Sequence, residues 1–330
     1  MKIKQSVLAA AVTAALAMGT AGQALAYVYA GSVTEVSNLV ISISPSAGAT
    51  INNFNFSTTN TAMLNGVINS STATCSGVPG PGGVGNNCGA SPAPVLDGPT
   101  VSMGPARPVN VFTLLGPSAL SSWSNSDSLI PSATLVTFTP TSTQTVSEAN
   151  LVAGGSTASA NSEIQSTTNF NFTFTTTALG NFNLTFDADA RLRAAIFGEP
   201  SLLNSALASN KLSQTLTQNT GGTPIINWSP NGSKFCDDSA ALCIASDGAA
   251  QNRLNANRST GTNNTDIDFN PLLTSLSLGI TGLEAGTWSL GLNVNNSVLV
   301  NRVPEPSILA LLGIGLLGLG IPAARRRKLK

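Results

Sequence analysis

The central region of this sequence predicts an all-β fold, an antiparallel β-sandwich with long polar loops. Three observations carry that expectation: apolar residues recur at every second position, helical periodicity is almost absent, and Gly-, Pro- and Asn-rich steps separate the runs. Leu39, Ile41 and Ile43 alternate with polar neighbours, as do Phe54 and Phe56, and then Phe170, Phe172 and Phe174. A longer run sets Phe182, Leu184, Phe186, Ala188, Ala190 and Leu192 on one face. Leu276, Leu278 and Ile280 follow, and after a Gly-rich turn come Trp288, Leu290, Leu292 and Val294. Such strands bury one face and show Ser, Thr or Asn on the other, and a succession of them suits two packed sheets.

One helix is expected inside this region, from Ser201 to Lys211, because Pro200 and a serine cap precede an Ala- and Leu-rich stretch. Val78 to Pro108 holds seven prolines and reads as a long irregular insertion. Thr139 to Thr168 and Asn252 to Thr265 read as polar, mobile loops. Two pairs of stretches resemble each other at nearly one offset. E-V-S-N-L-V at 35–40 matches E-A-N-L-V at 148–152, and the N-F-N-F segments start at Asn53 and Asn169. They predict two related β units, about 27–140 and 141–301.

Residues 1–26 read as a secretory signal peptide. Lys2 and Lys4 supply positive charge, Val7 to Met18 form an apolar stretch too short for a bilayer span, and Ala24-Leu25-Ala26 gives small-x-small cleavage. The mature chain is expected to begin at Tyr27, after handling by the Sec translocon and signal peptidase.

The opposite end has three parts. Val303-Pro304-Glu305-Pro306 precedes an unbroken apolar run from Ile308 to Ile321, and Arg325, Arg326, Arg327, Lys328 and Lys330 close the chain. A helix over about 307–324 is roughly 27 Å long at ~1.5 Å per residue, enough to cross a bilayer core. The basic end then stays cytoplasmic. Each proline pushes the residue before it towards extended backbone, so the Pro-Glu-Pro step is expected to lie extended outside the membrane. The string Gly313-Ile314-Gly315-Leu316-Leu317-Gly318 matches a dinucleotide fingerprint, but inside an apolar span it has no strand before it and no water for a pyrophosphate.

This tail, about 303–330, resembles the PEP-CTERM sorting domain. The resemblance implies recognition by a membrane exosortase, removal of the tail near the motif, and delivery of the body to the cell surface or exopolysaccharide matrix of a Gram-negative bacterium. A hydrophobic tail used as an address and then lost has a parallel in lipid-anchor signals.

Between the two signals, residues 27–301 carry seven basic and fourteen acidic side chains, a net charge of 7 − 14 = −7. No basic stripe exists, so nucleic acid is not an expected partner. Ser, Thr and Asn make up about a third of the chain while charged residues are 9%, so solubility rests on hydroxyls and amides. The four cysteines fall into two local pairs, Cys75 with Cys88 and Cys236 with Cys243. In an exported body they read as disulfides, and no histidine is present to complete a zinc site.

The absence of histidine also excludes Ser-His-Asp and Cys-His catalysis. Carboxylates remain. Asp187 and Asp189 share a strand face with Arg191 and Arg193, and Asp266 and Asp268 repeat the spacing. Weak calcium ligation at Asp187 and Asp189 and a paired-carboxylate glycosidase are the functional readings. A solvated face with Asp and Arg paired across strands is the structural one, and it is favoured. The string F-D-A-D-A-R-L-R is similar to a core motif of the EDSAP subfamily. Trp123 and Trp228 lie in polar stretches and are candidate sugar platforms, whereas Trp288 alternates with core residues. The expected function is a non-catalytic surface or matrix protein with no cofactor. The alternative is a carbohydrate-binding sandwich using loop tryptophans and calcium.

Overall fold

A computed structural model describes residues 26–44, 50–77, 96–130, 141–152, 156–165, 172–176, 179–198, 204–219, 224–230, 234–236, 242–246, 254, 256–262, 265–269 and 273–302. The strands are β1 (Tyr27–Ser44), β2 (Thr50–Leu64), β3 (Val67–Gly77), β4 (Leu96–Met103), β5 (Trp123–Ile130), β6 (Thr141–Leu151), β7 (Ser156–Gln165), β8 (Phe172–Thr176) and β9 (Gly180–Phe197). They continue with β10 (Ser205–Gln218), β11 (Pro224–Trp228), β12 (Lys234–Cys236), β13 (Leu242–Ser246), β14 (Asn257–Thr260), β15 (Thr265–Phe269), β16 (Thr274–Leu283) and β17 (Gly286–Arg302). All pairings are antiparallel.

The first sheet runs β13-β16-β9-β1-β6-β5-β4 with β15 also on β9. The second runs β12-β11-β10-β17-β7-β2-β3, with β14 on β10 and β8 on β17 and β2. Both sheets draw strands from before and after residue 140, so the two matched stretches lie in one shared sandwich. β1 pairs β6 and β2 pairs β8, but the antiparallel register sets Glu35–Leu39 beside Thr141–Gln144 and Glu148–Leu151 beside Val28–Gly31, so the first two matched stretches lie at opposite ends of their strands.

The expected alternation holds. Phe182, Leu184, Phe186, Ala188, Ala190 and Leu192 are buried, as are Leu276, Leu278, Ile280, Trp288, Leu290, Leu292 and Val294. All but Leu192 join Leu39, Ile41, Ile43 and Phe56 in the larger apolar core. A second, alanine-rich core, with Val28, Ala30, Ala149, Leu151, Ala194, Ile196, Ala206, Ala208 and Val300, fills the end where β1 begins and β17 stops.

β1 runs through both cores and changes parity on the way. Its inward positions are Val28, Ala30, Ser32, Thr34 and Val36, then Leu39, Ile41 and Ile43. The change occurs at a bulge at Asn38, which has φ 51°. An extra residue in one strand moves every later side chain to the other face.

Between the cores lies a belt of buried polar groups. Asn296 on β17 is fully buried, and its Nδ2 donates to the Thr145 carbonyl at 3.0 Å and to Thr145 Oγ1 at 2.8 Å. Thr34 Oγ1 donates to Asn296 Oδ1 at 2.7 Å, and Ser147 Oγ donates to the Asn296 carbonyl. One amide thus ties the second sheet to β1 and β6 of the first. Buried polar groups are costly without partners, and a network this complete fixes how the sheets lie on each other.

Four expectations are corrected. Ser205 to Lys211 is strand, not helix: β10 turns Ala206, Ala208, Asn210, Leu212, Gln214 and Leu216 inwards against the other sheet. Helix propensity for Ala and Leu is a small bias that sheet pairing to β17 overrides. Residues 139–168 contain β6 and β7, and 252–265 contain β14, rather than only loops. The insertion 78–108 contains β4, which pairs β5 at the sheet edge. In β5 and β6 most inward positions are Ser or Thr, so little apolar contrast marks the strand period. The hairpin joining β2 to β3, which carried no expectation, turns at Asn65-Gly66, with φ of 52° and 81°. Two positive φ values in a two-residue turn match the right-handed twist of the strands, and Asn-Gly is the sequence signal for it.

Candidate functional site

The two ends of the folded body meet. Ala26, the residue before the expected cleavage point, is 2% exposed, and its carbonyl accepts a hydrogen bond from Arg302 Nη1 at 3.3 Å. Tyr27 opens β1 opposite Phe197 at the end of β9, and the two rings stack with centroids 5.7 Å apart and planes at 15°. Arg302 closes β17, one of the central strands of its sheet. The expected exit signal therefore begins where a central strand stops, with no spacer. Ala24, Val303, Pro304, Glu305, Pro306, Arg325, Arg326 and Arg327 lie outside the described residues, as do the signal region and the expected span 307–324. Among the described residues no helix is long and apolar enough to cross a membrane.

Above this end, the outer face of the first sheet carries a buried charged cluster that sequence reading missed. Glu148 on β6 accepts from the Tyr29 hydroxyl at 2.6 Å, from Arg107 Nη1, and from the backbone N–H of Leu115 and Gly116 at 2.8 and 3.3 Å. Arg107 also donates to the carbonyls of Val111 and Thr113. Two residues along β6, Asn150 Nδ2 donates to the carbonyls of Ser118 and Ser121. The segment 104–122 is thereby strapped across β5, β6 and β1, and every residue of β5 is buried.

Tyr29 reaches Glu148 because Gly31, which pairs Glu148, has no side chain: a Cβ there would sit 2.4 Å from the Tyr29 hydroxyl. Burial pushes the Glu148 carboxyl up, opposed by the Arg107 charge. Burial and the neighbouring carboxylate push the Tyr29 phenol well up. A lone Glu in the otherwise uncharged Thr141–Leu151 stretch was the available signal, but nothing local to it names Arg107 as its partner.

The charged strand face behaves as the structural reading expected. Arg191 pairs Asp268 through two bonds, Nε to Oδ1 at 3.0 Å and Nη2 to Oδ2 at 2.6 Å, and Arg193 pairs Asp266 in the same geometry. β15 lies beside β9 with Asp268 opposite Arg193 and Asp266 opposite Ala195, so each ion pair runs diagonally, as neighbours on one face can. Arg193 also sits 5.7 Å from the Tyr29 ring centroid. Hydrogen bonding to Arg191 holds the Asp268 carboxyl below the usual range.

Asp187 accepts from Asn38 Nδ2 at 2.7 Å and Ser275 Oγ at 2.5 Å, and these bonds lower its pKa. Asp189 lies opposite Glu35. Among the described residues no three acidic or cysteine side chains group closely enough to hold a metal.

The tryptophan platform is corrected. Trp123 is 4% exposed, at the start of β5, edge-on to Tyr29 at 6.3 Å, and Trp228 is fully buried against Phe186 at 6.0 Å. Neither lies in a loop. Trp228 belongs to the larger apolar core and Trp123 packs with Tyr29 and Ala195, so no ring is open for sugar stacking at either position. Trp288 is core, as expected.

Cys75 is fully buried and disulfide-bonded. It lies on β3, at one edge of the second sheet. Cys236 lies on β12, at the other edge of that sheet, and Cys243 on β13, at an edge of the first sheet. Cys88 lies outside the described residues.

Residues 302–328 match the PEP-CTERM protein-sorting motif. The tail is an exosortase sorting signal. The motif implies export, processing by an exosortase at the membrane, and then a place at the cell surface. It takes in Arg302, the last residue of β17, so the PEP-CTERM signal starts inside the folded body. No curated protein and no solved structure matches the chain.

Proposed function

We propose that the chain is a non-catalytic surface protein, delivered through its PEP-CTERM tail and retained in exopolysaccharide or biofilm matrix. The observation that carries this is the sorting motif directly abutting β17. An Asp/Arg-paired face and a hydroxyl- and amide-rich surface support a hydrated, passive role. The signal peptide at 1–26, the membrane span at 307–324 and the EDSAP placement belong to this reading. So do two disulfides, Cys75–Cys88 and Cys236–Cys243. Each would close one open side of the sandwich, because β3 leads to β4 and β12 leads to β13, edge to edge across the sheets. The test is mass spectrometry of the mature chain from exosortase-positive and exosortase-deleted cells. A product ending near Pro304–Pro306 only when the enzyme is present supports the reading, and a product that keeps Arg325 in both overturns it.

A second reading, a carbohydrate-binding module, is favoured by one observation. A shallow groove of about 360 Å³ on the second sheet is lined by Ser209, Asn210, Lys211, Asn257, Asn295 and Ser297. Its amides and hydroxyls suit sugar hydroxyls, and the volume falls within the usual ligand range. Calcium at Asp187 and Asp189 would be an accessory to it.

A further inference from the structure

The end of the sandwich that holds both processing points also carries a group of exposed apolar side chains. β17 stops there at Arg302, paired with Ser156 at the start of β7, and Asn65 of the β2–β3 turn donates its N–H to the Thr157 carbonyl at 2.8 Å. Val67 and Ile68 follow that turn and are 61% and 64% exposed. Phe197, stacked on Tyr27, is 45% exposed, and Leu120, three residues before β5 begins, is 93% exposed.

The length of the tether decides what these side chains meet. Only residues 303–307 separate Arg302 from the apolar run starting at Ile308. Six fully extended steps reach at most about 22 Å. The headgroup layer takes about 5–8 Å of that. The end of the sandwich therefore stands no more than about 17 Å above the lipid surface while the tail is attached. A tether this short holds the end at an effective concentration in the millimolar range, so contacts too weak to bind a free body become populated. Aromatic rings and short aliphatic side chains are what a bilayer interface accepts.

We propose that, before the tail is cut, this end rests on the outer leaflet of the phospholipid bilayer, with Val67, Ile68, Leu120 and the Tyr27–Phe197 pair among the headgroups. Cutting the tail removes the tether, and the weak contacts then release the body. The inference rests on the sorting reading, in which the tail spans the membrane.

The test uses the full chain in vesicles of phosphatidylethanolamine and phosphatidylglycerol. Ile68→Cys and Leu179→Cys carry the same fluorophore, Leu179 being 66% exposed at the far end, next to Gly180, which pairs Leu283. Nitroxide-labelled lipids should quench the Ile68 probe at least threefold more than the Leu179 probe. A twenty-residue Gly-Ser insertion between Arg302 and Val303 should bring the two close to equal. Equal, weak quenching in vesicle-bound chain overturns the docking and leaves the sorting reading standing. A chain that fails to float with the vesicles has no spanning tail, and both fall.

Discussion

Tyr29 and Glu148, 119 residues apart, share a hydrogen bond of 2.6 Å that lies wholly out of water. It places the first strand of the body, the middle strand β6 and the 104–122 strap in one buried cluster with Arg107. Removing one partner of a buried ion pair leaves the other charge without compensation, which costs about 3–5 kcal/mol.

Glu148→Ala should therefore lower unfolding stability by about that amount. It should also free the strap, seen as rapid proteolysis between 104 and 122 at temperatures where the wild-type chain resists. A variant as stable and as resistant as wild type would show that the cluster holds nothing. The pH dependence has a definite sign. The folded-state pKa of Glu148 is raised above its ordinary 4.5, so its titration favours the fold at pH below that value and loses this contribution as pH rises through the folded pKa. Glu148→Gln should flatten that part of the profile.

Asn296→Leu keeps the branched arrangement of four side-chain heavy atoms but removes every side-chain hydrogen bond to Thr34 and Thr145. Each buried group left without a partner costs on the order of 1–3 kcal/mol. Urea unfolding should show a loss in that range or above. A neutral result would mean that the polar belt adjusts without Asn296.

The outer ladder has the opposite pH sign. Asp268 is held below its ordinary 3.8 by Arg191, so its contribution is present above that value and disappears as pH falls through the folded pKa. The pair is about one-third exposed, so the effect is small. Asp268→Asn should reduce the loss of stability on acidification below pH 3.8 and change little at neutral pH. An unchanged acid limb in thermal melts would exclude the pair as a source of acid sensitivity.

Residues whose signal is local were legible in the sequence. The alternation from Phe182 to Leu192 fixed a strand and its inward face because a two-residue period is a property of neighbours. The Asp/Arg face on β9 was visible for the same reason. The sorting tail was readable because prolines, an apolar run and basic residues act through their order along the chain. Strands β5, β6, β7 and β10 were misread where Ser, Thr, Asn and Ala took the inward positions, since a buried hydroxyl looks like an exposed one in a sequence.

Sequence alone determined the strand alternation, the sorting tail and the lack of histidine chemistry, because these follow from residue identity and order. Only the tertiary structure decided that Trp123 and Trp228 are buried, that Glu148 meets Arg107 and Tyr29, that Asn296 joins the sheets, and that Ala26 touches Arg302. Those depend on which strands lie side by side. Pairing between segments more than a hundred residues apart is set by the packing of the whole sandwich, and no short stretch of the chain encodes it.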